Sequence, residues 1–196
     1  MRKIFFCLVY TTGLLPVFGQ GHTYQLGLTA SAPWINNYRF YNYHKQAKAD
    51  KSGFIGFGAG GFYKNRNNKV LLNASIGFDA MLPFGEPEYA HGSIRDHIFA
   101  TALEATYSRR IFHKVYLFAG PGYTNYYFRL KSSADSVQSY NKRDRTFSLS
   151  TGIEYQVISQ IAAAVTYRPA IVGLDRKQYW HMLSLSARFE FTLRKG

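Results

Sequence analysis

Alternation of apolar and polar side chains with a period of two residues constrains the fold of this 196-residue chain more than any other feature. The stretch 183–194 shows it most clearly. Apolar side chains fill the odd positions from Leu183 to Leu193, and polar or charged side chains fill the even positions from Ser184 to Arg194. Successive side chains of a strand point to opposite faces. The stretch therefore predicts a strand with one apolar face and one polar face.

The same alternation recurs along the chain and predicts eight strands. They span residues 22–31, 53–63, 70–81, 97–108, 114–128, 145–157, 160–169 and 183–196. The connections alternate between short turns at 64–69, 109–113 and 158–159 and long polar loops at 32–52, 82–96, 129–144 and 170–181. Short turns at one end and long loops at the other are typical of an antiparallel barrel. We predict an all-β fold, an eight-stranded antiparallel up-and-down transmembrane β-barrel.

The first residues predict export. Arg2 and Lys3 precede an apolar run over 4–17, and Val17-Phe18-Gly19 suits signal peptidase. We expect a signal peptide over 1–19 and a barrel over 20–196. The alternative is a membrane-anchoring helix, but the run is shorter than the roughly 20 apolar residues that such a helix needs. Cys7 is the only cysteine and lies in this segment, so disulfides and thiol catalysis are not expected in the mature chain.

Two kinds of closed barrel fit the pattern: a soluble periplasmic barrel with an apolar ligand cavity, and a membrane barrel with an apolar exterior. The polar phase is rich in Gly, Ala, Ser and Thr, which suits a narrow interior, whereas the apolar phase carries the large side chains. Many Tyr residues also lie at predicted strand ends, where a membrane barrel carries an aromatic girdle. These features favour the membrane barrel.

Charged side chains near the middle of the polar phase predict an ionic interior. Unpaired charges in a narrow lumen would be costly, so we expect an ion-pair and hydrogen-bond network there. The alternative is a set of separate solvated side chains. The predicted members are Asp79, Glu104, Glu154, Arg168, Arg188 and Glu190.

The long loops are basic, in a chain whose formal net charge is +13. One interpretation is a surface that binds phosphates of lipopolysaccharide, a polyanion or a protein partner. The other is a set of solvated loops whose charges keep them out of the membrane. Export argues against nucleic acid as a partner. The candidate anion-binding residues are Arg39, Lys45, Lys48, Arg129, Lys131, Lys142, Arg143, Arg176 and Lys177.

The chain resembles the small eight-stranded outer-membrane barrels of Gram-negative bacteria, of the OmpA-barrel and OmpX type. The likeness depends on the strand pattern, the alternating loop lengths and the terminal Phe189-Glu190-Phe191-Thr192-Leu193. The Gly- and Tyr-rich stretch 118–123 looks like the barrels of Bacteroidetes. The resemblance implies insertion in the outer membrane, with the aromatic-rich last strand as an assembly signal. Arg194-Lys195-Gly196 departs from the family, because many members end on an aromatic residue.

The function expected from these features is a structural or surface-interaction role for a monomeric outer-membrane barrel with a plugged polar lumen. Outer-membrane lipids and lipopolysaccharide are its expected partners, and no cofactor, metal or enzymatic activity is predicted. The alternative is a lipid A-modifying enzyme. His91, Ser93 and Asp96 combine nucleophile and base chemistry, but their sequence spacing shows no triad. The spacing of His91, Asp96 and His97 matches no strong metal signature. His181 and Ser184 fall on opposite phases of the last strand.

Overall fold

The computed structural model describes residues 24–42, 47–53, 55–78, 94–132, 138–175 and 180–196. The predicted signal peptide lies outside these residues and stays a prediction. The described residues form nine strands: β1 (Tyr24–Asn42), β2 (Ala47–Gly53), β3 (Ile55–Asn65), β4 (Asn68–Phe78), β5 (Ile94–Phe112), β6 (Val115–Ser132), β7 (Tyr140–Ile158), β8 (Ile161–Gly173) and β9 (His181–Lys195). No helix in this part of the chain is long and apolar enough to cross a membrane.

The strands close into a barrel. From β3 onwards each strand pairs antiparallel with the next, and β9 pairs with β1 to close the ring. β2 pairs with residues 36–42 of β1, and β3 pairs with residues 24–31 of the same strand. The two short strands therefore share one position in the ring, and the barrel has eight strand positions. The predicted fold class is confirmed.

The strands are longer than the sequence pattern predicted. β5 and β7 each contain 19 residues, whereas crossing a bilayer takes about 9–11 tilted residues. Most of the excess lies at the end with the long connections, where residues 129–132 belong to β6 and residues 140–144 to β7. The predicted loops at 32–52, 82–96, 129–144 and 170–181 are therefore wrong in part, and so is the predicted turn at 109–113, since residues 109–112 belong to β5. In most of these loop segments the backbone hydrogen bonds between strands continue, but the outward face is no longer apolar. The alternation of apolar and polar residues that predicts a strand is therefore weak there.

The two faces of the barrel have opposite polarity. Large apolar side chains are exposed on the outside, including Leu28, Leu72, Leu103, Leu117, Leu149, Ile153, Val165, Leu185 and Phe189. Hydroxyl side chains are buried inside, including Thr29, Ser31, Thr106, Ser108, Thr124, Ser148, Ser150, Thr166, Ser184 and Ser186. A continuous apolar exterior of this extent needs lipid against it. The closed ladder also satisfies the backbone without water, as a bilayer requires.

Two inward aromatic rings lie over glycines on the neighbouring strand. Phe62 of β3 is directly opposite Gly27 of β1, and Phe118 of β6 is directly opposite Gly152 of β7. A Cβ atom built on Gly152 would lie 2.7 Å from Cζ of Phe118 and 2.0 Å from the carbonyl oxygen of Val165. The missing side chain is therefore what lets an aromatic ring fit inside a narrow barrel.

Candidate functional sites in the lumen and at the long-connection end

A cluster of four charged side chains occupies the lumen toward the short turns. The Lys69 Nζ donates hydrogen bonds to Oε1 of Glu154 and, at 2.7 Å, to Oε1 of Glu190. Arg188 Nη1 donates to the other carboxylate oxygen of Glu154. All four side chains are buried, with at most 5% of their surface exposed. Two cations and two carboxylates balance, which is what charges removed from water require.

A second ionic centre lies on the inward face of β4, β5, β7, β8 and β9. Arg168 binds Glu104 through two hydrogen bonds, Nε to Oε2 at 2.9 Å and Nη2 to Oε1 at 3.1 Å. Ser150 donates to the same carboxylate at 2.7 Å, and Asn73 donates at 3.1 Å. The remaining guanidinium nitrogen donates to Ser184 Oγ at 3.1 Å. This bidentate arrangement is the strong form of a charge-assisted pair.

Aromatic side chains fill the lumen toward the long connections. Tyr126 and Trp180 stack with ring centroids 5.0 Å apart, and both are almost completely buried. Their buried neighbours form an apolar cluster of Tyr38, Ile98, Ala100, Phe128, Ala170 and Met182. The sequence placed Trp180 in a surface loop, which is wrong, because only 2% of this residue is exposed. The interior is thus ionic in two layers and aromatic in a third.

The structure brings together five of the six residues proposed for the lumenal network. Glu104 and Arg168 form one centre, and Glu154, Arg188 and Glu190 belong to the other. Asp79 lies outside the described residues.

The sequence analysis missed Lys69, which lies in a predicted turn and is the first inward residue of β4. Its position has the same parity as the inward Leu71 and Asn73. The predicted lumenal carboxylates outnumber the predicted lumenal arginines. This imbalance of charge indicates that the lumen needs a further cation.

The candidate anion-binding residues lie mainly in strands rather than in loops. Arg39 is in β1, Arg129 in β6, and Lys142 and Arg143 in β7, all with exposed side chains. Lys48 is in β2 and Lys131 is in β6, but their side chains are outside the described part of the structure. Lys45, Arg176 and Lys177 lie outside the described residues. Strand backbones hold the described cations more firmly than loops would. Their predicted location in loops is therefore wrong.

Arg143 is fixed in place by two neighbours on β6. Its guanidinium carbon lies 5.3 Å from the centroid of the Tyr127 ring, and Nη2 donates to Oδ1 of Asn125 at 2.9 Å. A cation over an aromatic ring keeps its charge available on the other side. The side chain is therefore ordered while remaining exposed.

One exposed cation at this end is already neutralised. Arg145 Nη2 lies 2.7 Å from Oδ1 of Asp175, and the backbone amide of Arg145 donates to Oδ2 at 2.6 Å. The hydrogen bonds from Arg145 hold the pKa of Asp175 below its ordinary value of 3.8. The Asp175 carboxylate is therefore ionised and paired with Arg145 at neutral pH. The pair is lost only when the carboxylate is protonated, as the pH falls through this lowered pKa.

The side chains of the candidate catalytic residues in the segment 91–97 lie outside the described part of the structure. His91 and Ser93 lie outside the described ranges, and the side chains of Asp96 and His97 in β5 are not among those described. Tyr167 and His181 stack on the outer face, whereas Ser184 binds Arg168 in the lumen. No group of three or more His, Cys, Asp or Glu side chains in the described ranges could hold a metal ion.

A closed eight-position ring with an apolar exterior and an ionic interior defines an integral β-barrel of the outer-membrane class. The model of the family described as "Outer membrane protein beta-barrel domain" matches residues 6–191. The chain belongs to this family, and its place is the outer membrane. No curated protein matches the chain.

Several solved structures have the same fold. Ail, the attachment invasion locus protein of Yersinia pestis, solved in complex with the heparin analogue sucrose octasulfate, is 14% identical with a TM-score of 0.54. That match covers 88% of this chain and 100% of Ail.

The N-terminal barrel domain of Pseudomonas aeruginosa OprF is 15% identical with a TM-score of 0.54, and the match covers 86% of this chain and 99% of that domain. Neisserial surface protein A is 12% identical with a TM-score of 0.51, covering 88% of this chain and all of that protein. Identities this low establish the shared barrel fold and nothing finer.

Proposed function

We propose that this protein is a non-enzymatic surface-interaction barrel that binds sulfated or phosphorylated polyanions through the strand ends projecting from the cell surface. Outer-membrane barrels place short turns in the periplasm and long connections outside the cell. The observation that carries the proposal is the exposure of Arg129, Lys142 and Arg143 on these projecting strands.

Two carboxylates at this end are described. Asp175 is paired with Arg145, and Asp144 is buried with 4% of its surface exposed. A patch of one charge sign attracts polyanions over a distance and binds them more weakly as salt rises. Arginine favours planar, bidentate contacts with sulfate and phosphate oxygens.

The comparison with Ail supports the ligand class, because that barrel was solved with a heparin analogue bound. Ail shares only the fold with this chain, so no residue of its site is carried over. The basic strand ends of this chain supply the argument independently.

We also propose that the lumen is closed and serves stability rather than transport. Two ionic layers and the aromatic layer around Trp180 support this, because their side chains are buried inside an eight-position barrel that has little free interior space. Steady ion conductance of the purified protein in a planar bilayer would contradict a closed lumen.

Calorimetric measurement of sucrose octasulfate binding to the full chain in detergent tests the proposed function. Replacing Arg129, Lys142 and Arg143 together with glutamine is expected to weaken binding roughly tenfold, because three charge-assisted contacts are lost. Raising the salt concentration should weaken wild-type binding in the same direction.

The matched control removes the same charge from the short-turn end, where Arg109, Arg110 and Lys114 are also exposed. Their triple glutamine variant is expected to bind like the wild type. Equal losses in both variants would show only a general effect of net charge and would overturn the assignment to the long-connection end.

A further inference from the structure

A groove runs down the outer wall of the barrel across β3, β4, β5 and β6. Its part toward the long connections has a volume of about 550 Å³ and the part below it about 590 Å³, and both are lined by Ala59, Ala74 and Leu103. Ala59 is the register partner of Ala74, and Ala74 is the register partner of Leu103, so these three outward side chains lie in one row. The two parts therefore form one continuous depression.

Small side chains form the floor of the groove and large ones form its walls. Ala59 and Ala74 lie on the floor, whereas Phe57, Leu72 and Leu103 stand around them with 59–64% of their surfaces exposed. This face is mostly apolar and lies in the bilayer, so hydrocarbon must fill the groove. A flexible acyl chain can follow so narrow a depression without leaving voids, which would lose packing contacts.

The end of the groove toward the long connections is polar. Asn125 lines it, donates to Oγ1 of Thr101 at 3.3 Å, and accepts a hydrogen bond from Nη2 of Arg143 at 2.9 Å. Beside it the rings of Tyr127 and Phe99 stack with centroids 4.4 Å apart. Cations and amphipathic rings of this kind mark the level of the lipid headgroups. Arg143 is therefore held at headgroup level, directly above an apolar groove.

The charge balance around Arg143 favours a phosphate. Arg145, its outward neighbour on β7, binds Asp175 directly, and Arg143 attracts the same carboxylate only at longer range. Two arginines thus share one described carboxylate. A lipid phosphate would supply the second negative charge, and a guanidinium can hold two phosphate oxygens at once.

We infer that this groove binds a phosphorylated lipid of the outer leaflet, with one acyl chain over Ala59 and Ala74 and a headgroup phosphate on Arg143. The inference rests on the proposed function in one respect, because Arg143 belongs to the polyanion surface, and it adds that this arginine also receives a phosphate from the membrane. A second copy of the chain fits less well. A two-fold contact through the groove would bring two Arg143 side chains together at the same height.

The experiment places the full chain in phospholipid nanodiscs that contain equal amounts of phosphorylated lipid A and its enzymatically dephosphorylated form. Native mass spectrometry then counts the lipids retained on the protein. The wild type is expected to prefer the phosphorylated form roughly fivefold, and Arg143→Gln should remove this preference, because a charge-assisted contact is lost. Ala74→Leu should lower the retention of both forms roughly fivefold, because the larger side chain fills the floor of the groove.

Ala163→Leu is the matched control. Ala163 is an outward, half-buried alanine of β8, on another side of the barrel, so this variant should retain lipid like the wild type. Each variant is first shown to be folded by its gel mobility before and after boiling. Sucrose octasulfate binding to the same variants separates this inference from the proposed function, since Ala74→Leu should leave that affinity unchanged and Arg143→Gln should weaken it.

Equal lipid retention by the Ala74 and Ala163 variants would overturn the groove and leave the polyanion surface standing. A wild type without preference for phosphorylated lipid A, or an Arg143 variant that keeps the preference, would overturn the headgroup assignment. Dimers of the wild type that Ala74→Leu abolishes would assign the groove to a second copy of the chain and overturn the lipid.

Discussion

Replacing Glu104 with glutamine is expected to lower the free energy of unfolding of the barrel by roughly 3 kcal/mol, because Arg168 is left as a buried charge without its partner. Glutamine keeps the size of the side chain and can still accept a hydrogen bond from Ser150. The decrease in the free energy of unfolding therefore measures the effect of removing the negative charge rather than the effect of creating a cavity. Urea unfolding in detergent micelles, followed by tryptophan fluorescence, measures it.

The double variant Glu104→Gln with Arg168→Met removes both charges and should recover most of the lost stability, since a buried pair contributes little beyond a matched apolar replacement. The exposed pair provides the control: Asp175→Asn, opposite Arg145, should leave the unfolding midpoint unchanged, because solvent screens that interaction. A Glu104→Gln variant as stable as the wild type would show that water reaches this centre and that the lumen is not sealed.

Replacing Gly152 with alanine is expected to destabilise the barrel by about 3 kcal/mol or to prevent its assembly. The added methyl group would lie 2.0 Å from the Val165 carbonyl oxygen and 2.7 Å from the Phe118 ring, so the backbone of two strands must move. Overpacking of this kind costs about 1–3 kcal/mol even when side chains alone adjust. The folded fraction after refolding into micelles, read from gel mobility without boiling, measures the effect.

Gly61 supplies the matched control on the same barrel. A Cβ atom there meets nothing nearer than the Gly27 carbonyl oxygen at 3.6 Å, which is an ordinary contact. Gly61→Ala should therefore fold as well as the wild type, with a gain of up to about 1 kcal/mol from the stiffer unfolded chain. Equal behaviour of the two alanine variants would contradict the close packing of Phe118 over β7.

The membrane-spanning part of the fold could be predicted because lipid on one side and a narrow lumen on the other impose a strict period of two. β9, with Leu185 outside and Ser186 inside, shows this directly. Beyond the bilayer neither face must be apolar, so residues 94–96 of β5 and 140–144 of β7, at the long-connection end, left no alternation to detect.

The candidate sites were only partly predictable, for three physical reasons. Side-chain type indicated that Glu104 and Arg168 belong inside, but only the closed ring brings residues 64 positions apart into contact. The β-bulge after Pro33 reverses which side chains of β1 face the lumen, and although a proline within a strand is compatible with a bulge, it does not by itself predict this reversal. Lys69 was missed because it adjoins a turn, where a lysine is ordinarily solvated.

The orientation of the two faces is tested most directly by spin labels at single cysteines along β9, in a protein without Cys7 reconstituted in lipid bilayers. Labels at residues 183 and 185 should collide with lipid-dissolved oxygen, whereas labels at 184 and 186 should be shielded from it, giving accessibility that alternates at every residue. The reverse alternation, with 184 and 186 facing lipid, or a protein that stays in solution without detergent, would contradict an outer-membrane barrel with its apolar side chains facing the lipid.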